Sequence, residues 1–174
     1  MQSDRRRYVD EVQLEEPIMF YMLQQSNVGT SLHNAGQANS GTQQSTTCGI
    51  PLRDCLANKF DLLIGREDLM FENRGPSVSI RLMWPGYPPW SRQIPTRDFR
   101  SPPGPITRAK LAKNVAKTIH RFIEETQGRR MEDDGEARWR VGPNYIDIDD
   151  LILVGLQHVS MGSWQAHLRV LPRS

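Results

Sequence analysis

One segment limits the folds open to this chain more than any other: residues 107–127, TRAKLAKNVAKTIHRFIEETQ. Leu111, Ala112, Val115, Ala116, Ile119, Phe122 and Ile123 recur at helical spacing and form a single apolar stripe. Lys110, Lys113, Lys117 and Arg121 lie opposite it, so the spacing predicts one long amphipathic helix. Gly128 suits its C-terminal stop, and Arg129 and Arg130 suit the negative end of its dipole. Such a stripe has to be covered by another layer.

The candidates for that layer have a different period. From Ser77 onward, Val78, Ile80, Leu82 and Trp84 alternate with Ser77, Ser79, Arg81 and Met83, the pattern of a half-buried strand. Leu151–Val159 is apolar and rich in β-branched residues, and Ser160–Ser163 reads as a turn. Trp164, Ala166, Leu168 and Val170 then alternate with polar residues, completing a terminal hairpin. Arg138–Val141 and Tyr145–Ile148 are further strand candidates, and Leu62–Ile64 and Leu69–Phe71 are ambiguous short runs. Pro51–Phe60 places Leu52, Cys55, Leu56 and Phe60 on one face of a short helix. The expected fold is therefore α+β: a mostly antiparallel sheet of four to five strands, one long amphipathic helix packed on it, and a short helix.

The expected organisation is an N-terminal arm over residues 1–23, a polar linker over 24–47 and one α+β domain over 48–174. The arm carries an apolar run, Ile18–Leu23, after Pro17, too short for a membrane anchor. On a tether, such a run is suited to adding to a sheet edge, its own or a partner's. The linker holds no charged residue, and nineteen of its twenty-four residues are Gln, Asn, Ser, Gly or Thr. That composition reads as flexible. No apolar span or secretory signal pattern is present, which points to an intracellular protein without membrane contact.

No catalytic signature emerges. G-x-S-x-G, G-x-G-x-x-G and the P-loop pattern are all absent. Cys48 and Cys55 lack a second pair for zinc, and Cys55 reads as a buried thiol. His158 and His167 occupy the two arms of the terminal hairpin, where a facing pair would bind metal, although His167 also reads as solvated. Asp147, Asp149 and Asp150 are the best carboxylate cluster and give a metal-dependent enzyme as a second alternative. No cofactor is implied.

Charge is more informative than motif. The formal net charge of +2 hides a central segment, 81–130, with eleven basic residues against three acidic ones, and flanks that are each net −3. Seven of the twelve prolines lie in 85–105, which excludes helix there and reads as a long loop. Tyr87, Trp90, Arg92, Arg97 and Arg100 interleave with those prolines and are the candidate partner-binding residues. The leading reading is a non-catalytic binding or assembly module, using this loop and the N-terminal apolar segment on a protein partner or a second copy. The alternative is nucleic-acid binding through the same loop and Lys110, Lys113, Lys117 and Arg121.

Overall fold

In a computed structural model, residues 13–25 and 44–173 are described. Residues 1–12 of the N-terminal arm and most of the polar linker lie outside those residues. The elements run β1 (Ile18–Met19), β2 (Tyr21–Leu23), β3 (Thr46–Cys48), β4 (Ile50–Pro51) and α1 (Leu52–Leu56). They continue with β5 (Ser77–Leu82), β6 (Trp90–Pro95), β7 (Arg97–Asp98) and β8 (Gly104–Pro105). Last come α2 (Arg108–Thr126), β9 (Leu151–Ser160) and β10 (Ser163–Val170), with 3-10 turns at Asp134–Trp139 and Ile148–Asp150 before β9.

The helix forms where its periodicity requires. The Thr107 hydroxyl accepts a hydrogen bond from the Lys110 N–H at 3.2 Å and so satisfies one orphan donor of the first turn. After Gln127 the chain leaves the helix at Gly128, whose φ of +81° favours glycine. The buried stripe of α2 joins Val78, Ile80, Leu82, Ile94, Leu153, Leu156 and Trp164 in one core.

The sheet that α2 covers is mixed, with six strands, rather than mostly antiparallel with four to five. Its order is β1-β9-β10-β5-β6, and β4 also pairs with β9. Two antiparallel hairpins, β5–β6 and β9–β10, meet through a parallel pair, with Ser163 beside Ser79 and Gln165 beside Arg81. Parallel neighbours need a crossover of a dozen or more residues, and the segment containing α2 supplies it. Alternation reports which face of a strand is buried, not the direction of its neighbour, and that is why the parallel pairing escapes a sequence reading.

Several local expectations change. The proline-rich stretch contains the six-residue strand β6 and the small β7–β8 hairpin instead of being irregular throughout. Residues 138–139 fall in a 3-10 turn, and Val141 makes only an isolated bridge with Ile146. The runs 62–64 and 69–71 contribute isolated bridges, not strands. The short helix is confined to five residues.

The N-terminal apolar run is built into the body. β1 pairs antiparallel with β9, β2 pairs with β3, and Phe20 between them is fully buried. Gly155 permits this closure, because a Cβ there would lie 2.8 Å from the Ile18 carbonyl oxygen. His158 holds the segment further upstream. Its ring stacks on Trp164 at 4.5 Å between centroids, and its Nδ1 accepts from the Glu15 N–H at 2.9 Å.

Candidate functional site

The proline-aromatic stretch is ordered by its aromatic rings. Trp84, Tyr87 and Trp90 all approach Phe122 of α2, with centroid separations of 5.7, 6.4 and 5.5 Å. The Trp84 indole N–H donates to the Trp139 carbonyl at 2.7 Å, and the Tyr87 hydroxyl accepts from the Val141 N–H at 3.0 Å. Tyr87 is buried and Trp90 half-buried, so these two rings pack into the body. They anchor the start of β6 against α2. Arg92, Arg97 and Arg100 are exposed, the last two on or beside the β7–β8 hairpin, where Phe99 is also exposed.

β6 is the last strand of the sheet. Arg92 stands opposite Ile80, and directly opposed residues share a face, so Arg92 rises on the side covered by α2. There it lines a groove of about 340 Å³ between β6 and the helix, together with Ile94, Asn114, Lys117, Thr118 and Arg121. The helical cations divide at this point. Lys117 and Arg121 border the groove, whereas the Lys113 ammonium donates to Asn58 Oδ1 at 2.6 Å, beyond α1. Lys110 is exposed in the first turn and does not line it. Residues assigned to two separate candidate sets, Arg92 from the loop and Lys117 and Arg121 from the helix, therefore come together.

The polar groups of the groove are unequally engaged. Arg121 Nε donates to Glu125 Oε1 at 2.7 Å, and the Trp90 indole N–H donates to Glu125 Oε2 at 3.0 Å. The hydrogen bond from Trp90, followed by that from Arg121, holds the Glu125 carboxyl below the usual carboxylate range, and the charge of Arg92 adds to the effect. The guanidinium of Arg121 is thereby oriented while its Nη donors stay available for another acceptor. Glu124, which also lines the groove, lies 3.8 Å from the His120 ring. Neither Arg92 nor Lys117 makes a side-chain hydrogen bond or ion pair among the described residues. The Asn114 amide nitrogen is buried with no hydrogen-bond partner there. A buried donor without a partner costs about 1–3 kcal/mol.

The other candidates make contacts within the fold. Asp147 Oδ1 accepts from the Ile148 N–H at 2.7 Å, and Asp150 Oδ2 accepts from the Asp147 N–H at 2.9 Å, a reciprocal cap on the 3-10 turn. Asp150 also accepts from Arg173 at 2.6 Å. Among the described residues no group of three or more His, Cys, Asp or Glu is placed to hold a metal. His158 is opposite Trp164 and His167 opposite Gly155, so the two imidazoles are not cross-strand partners. Cys55 is fully buried, and burial pushes its thiol up to about 12. No helix among the described residues is long and apolar enough to cross a membrane.

Sequence reasoning missed the meeting of β6 and α2 because proline density hid the strand. The available signal was the alternation of Trp90, Arg92 and Ile94 with Ser91, Gln93 and Pro95. No protein-family model, no curated protein and no solved structure matches this chain.

Proposed function

We propose that the chain is a non-catalytic binding module that recognises an acidic segment of a partner protein through the groove between β6 and α2. The observation that carries this reading is the groove's set of donors. Arg92 and Lys117 are unengaged among the described residues, and Arg121 is pre-oriented by Glu125. Carboxylates supply the acceptor that Arg92 and Lys117 lack and that the Nη donors of Arg121 still leave room for, and charge-assisted hydrogen bonds are the stronger kind. The divergence of Lys110 and Lys113 from the groove favours a compact acidic ligand over a long phosphate backbone.

The test is fluorescence anisotropy with two labelled probes of equal charge, an oligoglutamate peptide and a single-stranded DNA. The peptide is expected to bind more tightly, with an affinity that falls as salt rises. The double substitution Arg92→Glu and Lys117→Glu is expected to weaken it about tenfold or more, since each exposed pair contributes up to about 1 kcal/mol and reversal replaces attraction with repulsion. Binding that is unchanged by the double substitution would remove the proposal. Tighter binding of the DNA would transfer the groove to the nucleic-acid reading.

A further inference from the structure

The outer edge of β6 has backbone groups that the fold leaves open, and their direction follows from the ladder. Ser79 donates its backbone N–H to the Gly162 carbonyl at 2.8 Å, on the β10 side. Backbone groups alternate sides along a strand, so Ser77, Ser79 and Arg81 address β10, while Val78, Ile80 and Leu82 bond to β6. Their opposite residues, Ile94, Arg92 and Trp90, return those bonds. Ser91, Gln93 and Pro95 therefore direct their backbone groups away from the sheet. Pro95 faces Ser77 and lacks an N–H, which agrees with this assignment.

Ser91, Gln93 and Pro95 are all exposed, and among the described residues no strand flanks β6 on this side. Proline closes both ends of the free edge, Pro89 immediately before the strand and Pro95 as its last residue. Between them the N–H and C=O groups of Ser91 and Gln93 form a short edge that can be paired. Proline commonly protects an edge from pairing, yet here the unprotected interval is the part that carries Arg92.

We infer that the partner of the groove adds an extended segment as a strand along the outer edge of β6, with acidic side chains at alternate positions turned toward α2. This inference rests on the proposed recognition of an acidic partner and specifies how that partner binds. Side chains on an added strand alternate between faces. Those on the α2 side meet Arg92, Lys117 and Arg121, and those on the other side lie beside the polar side chains of Ser91 and Gln93. The matching sequence is therefore acidic–any–acidic, not a block of consecutive acids. A second copy of this chain pairing edge to edge through β6 would bring each groove's cations against the other's, and like charges placed together oppose that assembly.

The experiment uses two synthetic peptides of identical composition, one with Glu and Thr alternating and one with the Glu residues in a block, and measures their affinities by anisotropy. The alternating peptide is expected to bind several-fold tighter. Its affinity is expected to fall about tenfold in Ser91→Pro or Gln93→Pro, because each removes an outward donor and strand addition involves hydrogen bonds of about 0.5–1.5 kcal/mol apiece. N-methylation of alternate peptide bonds is expected to give the same loss without any change to the protein, which keeps the test decisive if a proline variant unfolds. If both peptides bind equally, and both the proline variants and the methylated peptide retain full affinity while Arg92→Glu with Lys117→Glu abolishes it, strand addition is wrong and acidic recognition stands. If neither peptide binds, both fall together.

Discussion

Replacing Phe122 with Ala tests whether the aromatic cluster, and not proline stiffness, holds β6 beside α2. Phe122 is 1% exposed and is approached by Trp84, Tyr87 and Trp90 within 6.4 Å. Truncating a buried Phe costs about 3–5 kcal/mol through lost transfer energy and the cavity left behind. The three aromatic contacts, each contributing about 0.5–1.5 kcal/mol beyond area, place this site toward the upper part of that range. A domain of this size has a total stability of about 5–15 kcal/mol, so the loss is a large fraction of it. Urea unfolding followed by circular dichroism reads the effect as a fall of roughly 2 M in the midpoint, for a slope of about 2 kcal/mol per molar. The Trp90 indole should also lose its fixed position, so its hydrogen bond to Glu125 weakens and near-ultraviolet ellipticity declines. A loss below about 1 kcal/mol, with unchanged near-ultraviolet signal, would refute the claim that this ring anchors the groove.

Three further outcomes follow from individual contacts. Gly155→Ala places a Cβ against the Ile18 carbonyl and the Met19 sulfur, so amide exchange at residues 18–23 is expected to accelerate while that of α2 is retained; uniform acceleration would contradict a local role. Cys55, with its thiol raised to about 12, is expected to resist a thiol-modifying reagent at pH 8 in the folded state and to react on unfolding. Immediate modification of Cys55 in the native protein would show that the helix face is open. Glu125 is expected to titrate below an ordinary glutamate in a carbon-detected NMR titration, and Trp90→Phe should raise its midpoint. Because the folded state lowers this group's pKa, its contribution to stability is present above the ordinary glutamate range and is lost as pH falls through the lowered value. A midpoint unmoved by Trp90→Phe would remove the indole as the leading cause.

Much of the architecture is legible in the residues. The stripe from Leu111 to Ile123 and the stop at Gly128 locate α2 to within a residue, because helical period and the glycine stop are local properties. The same holds for the terminal hairpin, whereas β5 ends at Leu82, two residues before the alternation does. The candidate site was harder to read, since it depends on which strand lies at the edge and which helical cations face it. Arg92 and Lys117 are far apart in sequence and belong to patterns of different period. Nothing local states that Lys113 turns to Asn58 while Lys117 borders the groove. The prolines around β6 suggest a loop when counted, yet they are compatible with an edge strand because the outward position of Pro95 has no ladder hydrogen bond to lose. Tyr87 and Trp90 illustrate the same difficulty. Aromatic residues among prolines resemble a recognition loop until Phe122 is seen to gather them.

The most direct test of recognition at the groove is the map of amide chemical-shift changes in a nitrogen-labelled sample titrated with the alternating Glu–Thr peptide. Shifts concentrated at Ser91–Gln93 and Asn114–Arg121, and suppressed by Arg92→Glu with Lys117→Glu, are the expected result. Shifts centred on the Phe99 hairpin tip or on Asp147–Asp150, with β6 and α2 unchanged, would contradict it.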